Sequence, residues 1–145
     1  MSAKFGPGGN CDAFKAAGGG NSDAFRLAGL KSTVDAPAWV SSIGLDAYEY
    51  EAGNGLSASE ELLAAIGLKA KEHGISLSFH TPYFISLSSV EQEKRLKSVE
   101  YIKQSAYASK LLDAKVMVVH CGSCAKISRE TAMEYATETL TMAAQ

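Results

Sequence analysis

The sequence predicts an α/β fold in which parallel strands alternate with helices, as in the first four or so βα units of a (β/α)8 barrel. Three observations carry this expectation. Strand-like and helix-like segments succeed one another about four times along the 145 residues. In the strand candidate 75–80, Ile75, Leu77 and Phe79 share one face while Ser76, Ser78 and His80 share the other, because side chains alternate along a strand. Two strand runs end in histidine, at His80 and His120, which brings both imidazoles to the carboxyl rim of a parallel sheet, where such folds build their sites. An apolar face suits covering helices and a small polar face suits a barrel interior, so a barrel is preferred to an open doubly wound sheet. A whole barrel takes about 250 residues. Residues 1–145 are therefore expected to form the N-terminal half of a single barrel domain.

A short first strand is expected at Lys4-Phe5-Gly6. It leads into a tandem repeat, Gly8-Gly-Asn-Cys-Asp-Ala-Phe-Lys-Ala-Ala-Gly18 followed by Gly19-Gly-Asn-Ser-Asp-Ala-Phe-Arg-Leu-Ala-Gly29, identical at eight of eleven positions. Two copies fall short of the three or so that a solenoid stacks, and no Lys-Ser/Thr closes either copy as a P-loop requires. Residues 8–29 therefore read as a duplicated glycine-rich surface loop. Asp35 is expected to cap a short helix with Pro37 in its first turn, carrying Trp39, Val40 and Ile43 to a stop at Gly44. A strand follows over 45–51. Ser57-Ala-Ser-Glu60 forms a capping box for a helix with Leu62, Leu63, Ile66 and Ala70 on one stripe, ending at His73-Gly74. After the strand 75–80, a second box, Ser88-Ser-Val-Glu91, opens a long helix with Leu96, Val99, Ile102 and Ala106 on its apolar face. The strand 115–120 comes next, and Ser128 caps a last helix through Met133, Ala136 and Leu140.

A content of 46% hydrophobic and 21% charged residues suits one core of ordinary size. No apolar run approaches the roughly 18 residues that span a bilayer, and Met1-Ser-Ala-Lys-Phe-Gly leads into no secretory segment, so no membrane partner is expected and the cytoplasm is the default location. Cys11, Cys121 and Cys124 are too few for a disulfide scaffold and fit a reducing compartment. A net charge of −2 gives no overall field for a polyanion, so a nucleic-acid partner would need a local basic patch or metal ions. Lys94, Arg95 and Lys97, interleaved with Glu91, Glu93 and Glu100, read as a solvated helix face.

Neutral imidazoles are good ligands for zinc and similar divalent ions, and His80 and His120 from adjacent strand ends would lie within reach of a shared site. A hydrolytic zinc site usually takes three protein ligands and lowers the pKa of water to about 7. The pair is then an incomplete set, and the competing reading makes each histidine a buried polar residue bonded to backbone. His73, in the last turn of a helix, reads as structural. Cys121-Gly-Ser-Cys124 lacks a second pair and the setting of a redox motif, so free reduced thiols are favoured, with Cys121 held in reserve as a metal contact. Gly122 and Ser123 are placed to offer backbone N–H groups to an anionic substrate. Glu51, on the face of its strand shared with Glu49 and opposite Tyr48 and Tyr50, would stand at the rim beside Asn54, where a carboxylate and an amide reach substrate. The plainer reading, a solvated strand end before a Gly53-Asn54-Gly55 turn, is slightly preferred.

His80-Thr-Pro-Tyr83-Phe-Ile-Ser-Leu87 after one strand and His120-Cys-Gly-Ser123 after the next resemble the paired signatures of endonuclease IV-type enzymes, the family-2 AP endonucleases, within the xylose isomerase-like barrel superfamily. Lys4-Phe-Gly-Pro-Gly-Gly-Asn10 and Ala-Tyr-Glu-Tyr-Glu51 extend the resemblance over nearly the whole chain. It implies that His80 and His120 are ligands of a zinc cluster, with manganese or another divalent metal as substitutes, and that Tyr83 is an aromatic beside DNA or sugar. It implies cleavage of DNA at abasic sites in base excision repair, the metals activating the nucleophile and clamping the phosphate. The chain departs from the family at Cys121, where proline is common, and in the additional repeat copy. The remaining family ligands come from later strands, so these residues alone are expected to be weak or inactive, with self-association through open barrel edges as a way to close the sheet. A divalent-metal sugar or sugar-phosphate isomerase or epimerase is the nearest alternative, and a non-catalytic binding module is a third.

Overall fold

A computed structural model describes residues 3–10, 32–124 and 127–145. The repeat copies beyond Asn10, with Cys11, lie outside these residues. Among the described residues the strands are β1 (Ala47–Glu51), β2 (Ser76–His80) and β3 (Val116–Val118), and the helices are α1 (Ala36–Ser42), α2 (Glu60–Glu72), α3 (Gln92–Leu112) and α4 (Arg129–Ala143). The sheet runs β1-β2-β3 with every pairing parallel. The partial barrel expected from the strand–helix alternation is thus the observed architecture.

The first strand differs from expectation. Phe5 to Gly9 runs beside β1 in the manner of a strand: Ala47 N–H donates to Phe5 O (3.1 Å), Glu49 N–H to Pro7 O (3.1 Å), and Gly9 N–H to Glu49 O (2.8 Å). Only a single bridge, Gly8 to Glu49, meets the geometry of pairing. Pro7 supplies the reason, since it has no N–H to return to β1. Gly6 is there because a side chain would not fit: a Cβ at this position would run into the carbonyl of Ala47. Gly6→Ala is expected to peel this segment from β1 and to cost about 2–3 kcal/mol by overpacking, read as a lower urea midpoint with an unchanged slope. An unchanged midpoint would show that the segment adds no stability.

The caps differ from expectation in part. Asp35 is the N-cap residue of α1 as expected but makes no side-chain capping bond there; instead Ser32 opens the preceding turn Thr33–Asp35, its hydroxyl accepting from Val34 N–H (3.2 Å) while the Asp35 carboxylate accepts from Ser32 N–H (3.1 Å), a reciprocal box. Ser59 rather than Ser57 caps α2, accepting from Leu62 N–H at 3.3 Å. Ser88 does not cap α3, whose N-cap residue, Glu91, makes no side-chain capping bond. Ser128 caps α4 as expected, accepting from Thr131 N–H at 3.1 Å.

The core lies between one face of the sheet and the helices. Tyr48, Leu77 and Phe79 pack with Val40, Leu63, Ile66 and Leu112, and Phe79 is fully buried. The helix stripes hold less well than the strand faces. On α3 Val99 and Ile102 are buried, but Leu96 and Ala106 are exposed, and the inward face is completed by Arg95, Ser98, Ser105, Ala108 and Ser109. Buried serines are tolerated because they bond back to their own helix, Ser98 to Lys94 O and Ser109 to Ser105 O, both at 2.8 Å. On α4 Ala132 and Thr139 face inward, whereas Met133 and Leu140 are exposed.

That stretch is a solvated face as expected except at Arg95. Arg95 is 9% exposed, its guanidinium lies 4.3 Å from the Tyr135 ring centroid, and Nη1 donates to Ser89 O at 2.8 Å. It locks α3 to α4 and to the loop entering α3. Lys94 does stay at the surface, paired with Glu91. No described helix is long and apolar enough to cross a membrane.

Candidate metal site at the strand ends

β2 and β3 are neighbours, and their carboxyl ends deliver the two histidines to one point. His80 closes β2 and pairs in register with Val118, two residues before His120. Alternation then places Ser76, Ser78, His80, Val116 and Val118 on the face away from the helices, the face a closed barrel turns inward. Glu49 shares it, and the Ser78 hydroxyl donates to Glu49 Oε2 at 2.7 Å. Val116, 59% exposed, shows how open this face is.

The Nε2 atoms of His80 and His120 stand 3.0 Å apart, with ring centroids at 4.9 Å. His80 Nδ1 lies 2.9 Å from Thr81 O. A carbonyl can only accept, so Nδ1 carries a proton, and in the neutral ring Nε2 then presents its lone pair to His120. This is how metal-ligating histidines are held, one ring nitrogen donating to a carbonyl while the other faces the ion. Two ligands on a tetrahedral zinc with bonds near 2.05 Å sit about 3.3 Å apart. The observed spacing fits an ion between the rings with a small adjustment, and a pair of imidazoles fits zinc. Among the described residues no cluster of three or more His, Cys, Asp or Glu side chains forms, so these residues offer a pair.

Tyr83 completes an aromatic rim. Its ring is 5.3 Å from His80 and 6.3 Å from His120, and it is 59% exposed. It lies against Gly53, where a Cβ would collide with the ring, and Tyr83 N–H donates to Gly53 O at 3.0 Å. The turn after β1 thereby sets the aromatic beside the histidines.

The other sequence candidates stand further off. Glu51 pairs in register with His80, yet its carboxylate is turned to the glycine backbone of the first segment: a Cβ at Gly8 would come within 2.8 Å of Oε1, and one at Gly9 within 3.0 Å of Oε2. Asn54 sits exposed in the turn closed by Gly55 N–H to Ala52 O at 2.8 Å. Ser123 is exposed, and its carbonyl accepts from the Ser88 hydroxyl at 2.8 Å. Gly122 has φ +97° and a Cβ there would lie 2.6 Å from Ser88 Oγ, so the loop after His120 seats tightly on the loop after β2. Ser88 was invisible as a contributor because its sequence context reads as a cap. Cys121 and Cys124 are free and exposed, and His73 is the C-cap residue of α2.

The β1 edge carries a polar group that the sequence did not announce. Tyr48 OH donates to Asn10 Oδ1 (3.1 Å), and Asn10 Nδ2 donates to Thr33 Oγ1 (3.0 Å). Tyr50 stacks on Phe79 with centroids 5.6 Å apart, and burial raises its phenol pKa above the ordinary value.

Residues 37–145 match the family described as Xylose isomerase-like TIM barrel. A 64-residue stretch is 38% identical to the protein named Probable endonuclease 4 of Carboxydothermus hydrogenoformans, covering 44% of this chain and 23% of that protein. Among solved structures, D-psicose 3-epimerase from Clostridium cellulolyticum H10 superposes with a TM-score of 0.62 at 17% identity, over 74% of this chain and 40% of that one. AP endonuclease, family 2, from Brucella melitensis gives a TM-score of 0.58 at 13% identity, over 77% of this chain and 43% of that one. The chain thus spans less than half the length of these relatives.

Proposed function

Because this chain belongs to the xylose isomerase-like TIM barrel family over residues 37–145, we propose that His80 and His120 hold a divalent metal, zinc foremost, for hydrolysis of DNA at abasic sites. The observation that carries this reading is the 3.0 Å approach of the two Nε2 atoms at neighbouring strand ends. The 38% identity to an endonuclease 4 over 64 residues supports it.

A divalent metal at such a site activates water and neutralises charge on a phosphate. The chain's own residues position. Thr81 O fixes the His80 tautomer, so the lone pair is aimed without rearrangement. Tyr83 offers a ring face for a sugar or base at the rim. Ser88 holds the loop carrying Gly122 and Ser123, whose backbone N–H groups meet an incoming phosphate. Asn54 and Glu51 stand on the β1 side of the rim, Glu51 with its carboxylate turned to Gly8 and Gly9.

Two ligands hold a metal less firmly than three, so multiple-turnover cleavage by the 145 residues alone is expected to be weak. Binding gives the cleaner test. With zinc present, a duplex bearing one tetrahydrofuran abasic site is expected to bind about tenfold tighter (~1.4 kcal/mol) than the intact duplex, measured by fluorescence anisotropy, and His80→Ala/His120→Ala is expected to erase the difference. Equal affinity for the two duplexes would sink the reading. A second reading, metal-assisted isomerisation or epimerisation of a sugar, is favoured by the hydroxyl-rich cavity on the β1 side, which no cation lines among the described residues.

A further inference from the structure

The two histidines are not held alike. His80 closes β2 and is paired on both sides, with Glu51 of β1 and Val118 of β3, and its carbonyl accepts from Ala52 N–H at 3.0 Å. His120 lies two residues past the end of β3. Thr81 N–H to Val118 O (3.1 Å) is the last backbone bond between these strands among the described residues. A side chain beyond the last rung of a ladder takes its position from whatever holds its loop.

Ser88 holds this loop. It is 5% exposed, and its hydroxyl donates to Ser123 O at 2.8 Å, across 35 residues of sequence. Gly122 lies so close that a Cβ would stand 2.6 Å from Ser88 Oγ and 3.4 Å from Ser88 N. The buried hydroxyls of Ser98 and Ser109 bond carbonyls of their own helix, whereas Ser88 reaches across to the histidine loop. Its neighbours are themselves anchored. Leu87 is fully buried and its carbonyl accepts from the Thr139 hydroxyl of α4 at 3.0 Å, while Ser89 O accepts from Arg95 Nη1 at 2.8 Å. The loop after β3 is thereby tied to a segment fixed by both α3 and α4.

We propose that Ser88 is a positioning residue for the histidine pair: by fixing Gly122 and Ser123 it sets where His120 stands against His80, at the Nε2 separation of 3.0 Å. The consequence for metal affinity rests on the reading of the pair as a metal site, whereas the positioning itself does not. Groups that orient metal ligands without touching the ion are worth roughly 10–100-fold in affinity.

Two readouts on the 145-residue chain test it. In the metal-free chain a nuclear Overhauser contact between the His80 and His120 rings is expected, and Ser88→Ala is expected to weaken it. Zinc, titrated in competition with a chromophoric chelator, is expected to bind Ser88→Ala about tenfold more weakly. Gly122→Ala opens the same contact from the other side and is expected to reproduce both effects, which keeps the test decisive should Ser88→Ala not fold. Ser89→Ala removes a hydroxyl that bonds Glu91 N–H (3.2 Å), away from the histidine loop, and is expected to leave both readouts unchanged even where it lowers the urea midpoint. A ring contact weakened by Ser88→Ala in a chain that binds no zinc supports the positioning role and counts against the metal reading alone. The proposal would be overturned by a ring contact absent from the unaltered chain, retained in both Ser88→Ala and Gly122→Ala, or lost equally in Ser89→Ala. Zinc bound as tightly by Ser88→Ala as by the unaltered chain would overturn it too.

Discussion

Replacing His80 and His120 together by alanine is expected to remove stoichiometric zinc or manganese from the purified chain while leaving the fold in place. The reason is geometric. With Nε2 atoms 3.0 Å apart and the His80 tautomer fixed by Thr81 O, the two rings are already set around a point that an ion can occupy. Neither ring supports the core, since His120 is exposed and His80 half-buried on the face away from the helices. Elemental analysis after size-exclusion chromatography reads the metal, and far-UV circular dichroism reads the fold. Metal retained by the double variant would place the ion elsewhere, with Cys121 and Cys124 the next residues to test. Metal absent from the unaltered chain as well would favour the plainer reading, two polar residues that bond to each other and to backbone.

Phe79→Ala is expected to cost about 3–5 kcal/mol, the range for truncating a buried aromatic. Phe79 is fully buried in the middle strand, stacks on Tyr50 at 5.6 Å, and stands between β1 and the helices. A domain of ordinary stability holds roughly 5–15 kcal/mol, so a large share of the margin would go. Chemical denaturation should show a much lower midpoint with an unchanged slope. Leu96→Ala makes the contrast on α3: that leucine is 47% exposed, and a change within about 0.5 kcal/mol is expected. A large effect at Leu96 with a small one at Phe79 would reverse the assignment of the core.

The alternating faces of β2 were legible because a strand repeats every two residues and its two sides meet such different surroundings that Ile75-Ser76-Leu77-Ser78-Phe79-His80 admits one arrangement. The order of strands and helices followed from the same punctuation, with Gly44 and Gly74 in left-handed conformations where helices stop. Chain order and the right-handed crossover then put His80 and His120 on neighbouring strands.

Helix faces and caps were decided by tertiary packing. Leu96 and Met133 fit the periodicity but point outward, because the narrow space beneath α3 and α4 admits serine, alanine and threonine that satisfy their own hydroxyls. Arg95 is buried because Tyr135 and the Ser89 carbonyl receive it, and both arrive from other elements. Ser88 looked like a cap and became a clamp on Ser123, since competing hydroxyls stand at Ser86, Ser89 and Ser98 and only the fold chooses among them. By itself the sequence determined which residues reach the rim, because periodicity and chain order are local. Only the tertiary structure decided which of them meet there, with His80 and His120 converging while Glu51 turns to Gly8 and Gly9, because side-chain partners are set by segments distant in the chain.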